Sequence, residues 1–286
     1  MNQTRRSFLK TSGLLASGLA VGGAPLFTSC AESGRCKNAF ALQLYTLHQI
    51  IGDDPEGIIR TVADYGYQQI ESYEGPQGMF WGMGNTGFKR FLDDLGITMI
   101  SSHANVFNDF ERKAAEAAEI GVKYIVCPWI GAQNGVDGYK AMAETFNQLG
   151  QTAKNNGITF AYHNHAYTFE PIEGVYPQDI LMEETDPELV EYQVDAYWVE
   201  VTGQRTNDWI RKYPGRFTSI HIKDLAPGER HESTILGTGI LDFPSIVEVG
   251  KQHGMQHFIV EQEAFTGTTP LEAIRLNADY MRTLDL

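Results

Sequence analysis

The chain has 286 residues, with 36 Asp and Glu against 22 Lys and Arg and a formal net charge of −14. That length suits one large α/β domain behind a leader, and the acidic balance argues against nucleic acid or an anionic membrane surface as partner. Beyond Cys30 only Cys36 and Cys127 remain, so no disulfide framework is implied.

At the N-terminus, Thr4-Arg5-Arg6-Ser7-Phe8-Leu9-Lys10 precedes a Gly- and Ala-rich apolar run from Leu14 to Phe27, which reads as a twin-arginine export signal over residues 1–29. The run is short and broken by Gly18, Gly22, Gly23 and Pro25, unlike a permanent membrane span. Phe27-Thr28-Ser29-Cys30 resembles a lipobox, with Phe in place of the usual small aliphatic first residue. Lipidation of Cys30 would tether the protein to a membrane; otherwise Cys30 is an incidental thiol. Residues 30–39 have few large apolar side chains and read as the tether, so a periplasmic location is expected.

From residue 40 to 286, strand and helix patterns alternate. Strand-like runs fall at 40–46, 67–73, 97–103, 123–130, 158–165, 190–198, 217–224 and 257–263. Helical spacing of apolar residues occupies 55–65, 86–95, 109–120, 138–156, 178–185, 205–213, 243–253 and 270–284. Gly66, Gly96, Gly121, Gly157 and Gly254 stand where a helix commonly ends. Eight such units predict an α/β fold of the (β/α)8 TIM-barrel type in a single domain. An open doubly wound sheet is disfavoured, because no Gly-rich turn follows Leu44-Tyr45-Thr46.

Metal-competent side chains cluster at the ends of the late strands, where a parallel barrel opens its active-site mouth. His163 and His165 share one face of their strand and Asn164 takes the other. Asp195 closes Tyr192-Gln193-Val194, and an acid entering a barrel interior needs a cation or a donor: a metal ion, or an ion pair with Lys223 or an Arg. His221 and Lys223 share a face, and the imidazole is the better ligand. Glu261 and Glu263 close the last strand, where two carboxylates on one face require a cation between them or a shared proton, a state suited to acid/base work. Glu263 reaching solvent at the rim is the competing reading. Upstream, Gln43 with Tyr45, Glu71, His103 and Trp129 hold equivalent strand ends and suit the hydroxyls and apolar faces of a sugar; Trp198 and Trp81 are candidate stacking walls.

Tyr162-His163-Asn164-His165, Gln193-Val194-Asp195-Ala196-Tyr197-Trp198, Ile220-His221-Ile222-Lys223-Asp224, Leu236 to Phe243 and Ile259-Val260-Glu261-Gln262-Glu263 together resemble the xylose isomerase-like TIM-barrel superfamily, in particular its sugar (phosphate) isomerase/epimerase group. The resemblance covers roughly residues 40–286 and implies one divalent cation held by Glu, Asp, His and Glu from strands five to eight. Here that set becomes His163, Asp195, His221 and Glu261, because strand five carries His163 where the family has Glu. Two imidazoles and two carboxylates favour Mn²⁺, Co²⁺, Fe²⁺ or Zn²⁺ over Mg²⁺. The family's strand-five Glu also moves a proton, so His165 or Glu263 is expected to take that part, with Glu261 and Lys223 as further catalytic candidates.

These features point to a metal-dependent isomerase or epimerase of a carbohydrate or cyclitol, working by proton abstraction beside a polarised carbonyl. A lyase or dehydratase acting on 3-keto-glycosides or inososes would share the first step, and a non-catalytic exported sugar-binding protein is a reading of another class. Oligomerisation stays open. A phosphosugar is disfavoured because the region offers only Lys223 and Arg230 as cations, although the Gly237-Thr238-Gly239 loop could cradle an anion.

Overall fold

The computed structural model describes residues 39–228 and 230–286. The expected export signal, lipobox and nearly all of the tether lie outside these residues. The strands are β1 (Ala41–Gln43), β2 (Gln69–Tyr73), β3 (Thr98–His103), β4 (Tyr124–Cys127), β5 (Thr159–His163), β6 (Val190–Asp195), β7 (Phe217–Ile222), β8 (Asp224–Leu225), β9 (Ser233–Thr234) and β10 (His257–Val260). The helices are α1 (Pro55–Asp64), α2 (Asn85–Asp94), α3 (Phe110–Glu119), α4 (Gly135–Asn155), α5 (Pro177–Glu184), α6 (Ala196–Glu200), α7 (Thr206–Lys212), α8 (Phe243–Gln252) and α9 (Pro270–Met281).

Strands β1 to β7 and β10 close a parallel barrel in the order β1-β10-β7-β6-β5-β4-β3-β2, while β8 and β9 form a short antiparallel hairpin beside it. This is the expected (β/α)8 TIM barrel. Alternation along each strand divides the core in two. Leu42, Ile70, Ile125, Phe160, Val194, Ile220 and Val260 join the large apolar cluster with the helices, whereas Ala41, Ile100 and Ile259 form a separate small one. No helix among the described residues is long and apolar enough to cross a membrane.

The helices begin and end where local chemistry dictates. Asp54, Asp242 and Thr269 cap α1, α8 and α9 by accepting from the N–H groups of Gly57, Ser245 and Glu272, each followed within two residues by proline. The five expected stop glycines all adopt positive φ, from 69° at Gly96 to 96° at Gly254.

The strands are shorter than their apolar runs at the mouth. After Gln43 the chain turns into a 3-10 helix over Leu44–Leu47, and after Asp195 it enters α6. In both places the last strand side chain is itself the helix cap: Gln43 accepts from the Tyr45 N–H and Asp195 from that of Trp198.

Gly150 in α4 packs against the chain just before β6, and a Cβ there would overlap the Leu189 carbonyl group. Both partners are backbone and cannot yield cheaply, so Gly150→Ala is expected to destabilise the fold by about 1–3 kcal/mol despite alanine's better helix propensity. Urea unfolding midpoints check this.

Candidate metal centre and active-site cleft

The side chains that the strand ends deliver into the barrel form two polar tiers. The lower tier centres on Glu71, which is fully buried. Its Oε1 accepts from Gln43 Nε2 at 2.7 Å and faces His221 Nε2 at 2.7 Å; its Oε2 accepts from Ser101 Oγ at 2.6 Å and Gln193 Nε2 at 2.7 Å. Burial alone would favour a protonated carboxyl, but the imidazoles of His103 and His221 outweigh it and hold Glu71 well below the usual carboxylate range. Gln193 Oε1 in turn contacts His103 Nε2 at 2.8 Å and His163 Nδ1 at 3.1 Å.

The upper tier holds Asp195, His221, Lys223 and Glu261, all buried. With Nε2 of His221 committed to Glu71, its Nδ1 faces Glu261 Oε2 at 3.0 Å and Asp195 Oδ2 at 3.7 Å. Burial pulls the His221 pKa down, yet the carboxylates of Glu261, Asp195 and Glu71 raise it well above the ordinary histidine value. Asn164 clamps the end of β6 from β5, its Oδ1 accepting from the Asp195 N–H at 3.0 Å.

Asp195 Oδ2 is buried without a hydrogen-bond partner. An orphaned carboxylate oxygen in an interior is costly unless a cation meets it. Asp195, His221 and Glu261 each offer one ligand atom within 4.8 Å of the others, and a carboxylate–imidazole–carboxylate set beside that orphan fits a divalent cation. The hydrogen bond from His221 to Glu71 is the kind of outer contact that fixes a ligating imidazole.

His163, the fourth expected ligand, stands beside the Asp195, His221 and Glu261 group. It groups with His103 and His221, and its Nε2 stands 3.9 Å from Asp195 Oδ2. Burial, then the neighbouring imidazoles of His221, His103 and His165, push its pKa well down, so it is a neutral imidazole.

Lys223 supplies the cation that the paired glutamates require. Its ammonium lies 2.5 Å from Glu263 Oε1, 3.3 Å from Glu261 Oε2 and 3.7 Å from Asp195 Oδ2, and 4.9 Å from the ring centres of both Tyr197 and Trp198. Burial opposes its charge, but Glu261, Asp195 and Glu263 raise its pKa overall. Burial likewise opposes ionisation of Glu261, while Lys223 and His221 hold it well below the usual range. Glu263 is pushed up, chiefly by burial. Its backbone is braced by Ser233 of the hairpin, whose Oγ accepts from the N–H groups of Glu263 and Ala264 at 2.9 Å each.

Above this floor lies a cleft of about 600 Å³, lined among others by Tyr45, Tyr73, Glu74, His103, Phe107, Trp129, His163, His165, Glu261 and Glu263. Of the expected substrate contacts, His103 and Trp129 line it. Gln43 and Glu71 do not: both are fully buried beneath it and spend their polar atoms on each other and the lower tier. The reason is register. Glu71 pairs with Ser101, two residues short of the mouth, whereas Tyr73 pairs with His103 and reaches it. Trp198 is also absent from the lining; it is half-buried with its ring 5.1 Å from that of His165. Trp81 is buried, donating from Nε1 to Ser72 Oγ at 3.1 Å, and belongs to the core. Alternation two residues beyond Glu71 and two before Asp195 would have found Tyr73 and Gln193. Phe107 sits in a loop, where periodicity carries no signal.

His165 does line the cleft. Burial lowers its pKa to about 4, leaving a neutral ring with Nδ1 unpartnered at pH 7. The glycine loop, whose N–H groups could cradle an anion, holds one of the chain's own. The N–H groups of Gly237 and Gly239 donate to Asp224 Oδ2 at 2.9 and 3.0 Å, and those of Leu225 and Leu241 to Oδ1 at 2.9 and 3.2 Å. A Cβ at Gly239 would overlap that carboxylate, so glycine is required for the approach.

Purified protein is expected to carry divalent metal that is lost in Asp195→Asn and His221→Ala, measured by elemental analysis. Glu71→Gln should retain the ligands but weaken metal affinity roughly 10–100-fold, read by chelator competition.

Residues 59–284 match the xylose isomerase-like TIM barrel family. Inosose dehydratase of Clostridium perfringens is 28% identical over 142 residues, 44% of this chain and 47% of that enzyme. The chain thus spans about half the length of the curated relatives it matches. A sugar phosphate isomerase/epimerase of Parabacteroides distasonis superposes with a TM-score of 0.75 at 26% identity, covering 85% of this chain and 96% of that one. The zinc-bound IOLI protein shares the fold, with a TM-score of 0.68 at 14% identity over 86% of this chain and 96% of its own. Closed barrel, buried ligand group and sequence match agree: the chain belongs to the xylose isomerase-like TIM barrel family.

Proposed function

We propose that this protein is a divalent-metal-dependent isomerase or epimerase of a neutral carbohydrate or cyclitol, acting by proton abstraction next to a carbonyl. The observation that carries the reading is the orphaned Asp195 Oδ2 beside His221 and Glu261, at the foot of a cleft lined by further proton-transfer groups. When bound, the cation would polarise a carbonyl or the adjacent hydroxyl and so acidify the neighbouring C–H. Mn²⁺, Co²⁺, Fe²⁺ or Zn²⁺ suits the imidazole-containing donor set better than Mg²⁺.

The chain's own groups then have separable tasks. Asp195, His221 and Glu261 would hold the cation, with Glu71 and Asn164 fixing His221 and Asp195. His163 replaces the family's strand-five carboxylate, so proton transfer passes to His165 and Glu263. Neutral His165 accepts a proton at an unpartnered nitrogen, and Glu263, raised by burial yet gripped by Lys223, can hold a proton or release it. Lys223 keeps two adjacent carboxylates at the cleft floor without mutual repulsion. A neutral substrate is supported because the lining, among the described residues, includes no Lys or Arg and the glycine loop is filled by Asp224.

A second reading shares the first step but expels water or an aglycone instead of reprotonating carbon. The likeness to inosose dehydratase favours it. Incubation with keto-sugars and inososes in D₂O, followed by NMR, separates the outcomes: deuterium in an isomer supports the first, released water or aglycone the second, and tight sugar binding without exchange a non-catalytic binding protein. His165→Ala and Glu263→Gln are expected to lower exchange by roughly 10²–10⁴-fold while metal content persists.

The same proposal has the protein exported by the twin-arginine route to the periplasm, supported by Thr4 to Lys10 and the run that follows. Mass spectrometry of the mature N-terminus should find cleavage before Cys30 with a lipid on its thiol, or, without lipidation, an unmodified thiol.

A further inference from the structure

Five large apolar side chains are exposed among the described residues, and three of them, Tyr45, Phe107 and Trp129, line the one cleft above the ligand group. Phe107 and Trp129 are 54% and 57% exposed. Leaving such rings in water forgoes burial free energy, and gathering them at one place marks a binding surface.

Two of the three are braced by neighbouring rings. Tyr45 meets Tyr73 edge to face at 5.2 Å, and Tyr73 meets the buried Trp81 at 5.1 Å. On the other side Trp129 stands edge-on to His165 at 4.6 Å and to Tyr167 at 4.9 Å. Rings held this way lose little freedom when a ligand stacks on them. Charge narrows the occupant: among the described residues the lining carries Glu74, Glu261 and Glu263 and neither Lys nor Arg, and the two lysines beside it, Lys113 and Lys223, are buried and paired with those carboxylates, which disfavours a phosphate or carboxylate tail. Size narrows it further. At about 600 Å³ the cleft falls within the range of sites that take drug-sized ligands, roughly 300–1,000 Å³, and exceeds what one sugar ring fills.

We infer that the aromatic rim is an aglycone subsite: the substrate is a neutral glycoside with a keto group on its sugar ring, and that ring descends to the carboxylate and imidazole floor while a second, apolar-faced ring lies against Phe107 and Trp129. This rests on the carbohydrate reading above and narrows it from free sugars and cyclitols to glycosides.

The test uses non-reacting probes, matched methyl and phenyl β-glycosides of glucose, galactose and xylose, titrated against the metal-loaded full-length protein by calorimetry. Phenyl glycosides are expected to bind roughly tenfold more tightly than their methyl partners. Phe107→Ala should reduce that margin to about twofold or less with methyl-glycoside affinity retained, and Trp129→Ala should likewise collapse the margin between phenyl and methyl partners, with metal content and circular dichroism showing an intact fold and floor. Equal affinity for methyl and phenyl partners, or a phenyl preference that survives both substitutions, overturns the subsite and leaves the carbohydrate reading standing. Failure of every glycoside to bind also overturns the subsite, and the incubation with keto-sugars and inososes in D₂O then decides the carbohydrate or cyclitol reading by itself.

Discussion

Three carboxylates, those of Glu71, Asp195 and Glu261, are buried at one end of the barrel, and the arrangement of the site follows from the need to compensate them. Burying a carboxylate costs several kcal/mol even after relaxation, and the cost is offset only where geometry supplies donors or opposite charge. Glu71 meets five such groups, from Gln43, Ser101, Gln193, His103 and His221. Glu261 is met by Lys223 and His221. Asp195 keeps a fully buried oxygen without a hydrogen-bond partner, and that residual imbalance is what makes the centre suited to a cation.

His221 connects the two tiers. One ring nitrogen is spent on Glu71 below, which aims the other at Asp195 and Glu261 above. Substitutions that change either carboxylate therefore alter the same imidazole. Lys223 plays the complementary electrostatic part, spanning Asp195, Glu261 and Glu263 with one ammonium. That ammonium is buried over the rings of Tyr197 and Trp198, so the charge is held without solvent access.

The loops that follow the strands brace this centre and leave the ligand to the cleft. Asp224 is bound by four backbone N–H groups of its own segment, which closes the glycine loop against an external anion, and Ser233 of the small hairpin fixes the backbone of Glu263. Acid/base groups and aromatic rings thus remain as the surfaces presented to a substrate, in keeping with a neutral ligand.

Local pattern was enough to reveal the eight strand–helix units, the glycine stops and the chemical identity of His163, Asp195, His221 and Glu261, because each depends on spacing within one segment. The inward face of a strand is likewise legible from alternation. Height within the barrel is not, because it is set by the pairing of each strand with its neighbours: the bulge between β2 and β3 puts Glu71 level with Ser101, so Glu71 and its partner Gln43 support the floor while Tyr73 and Tyr45 reach the cleft. Which nitrogen of His221 faces the carboxylates, that Lys223 pairs with Glu263 at the cleft, and that Asp224 fills the glycine loop were decided only by the folded chain, since each depends on atoms brought together from segments far apart in sequence.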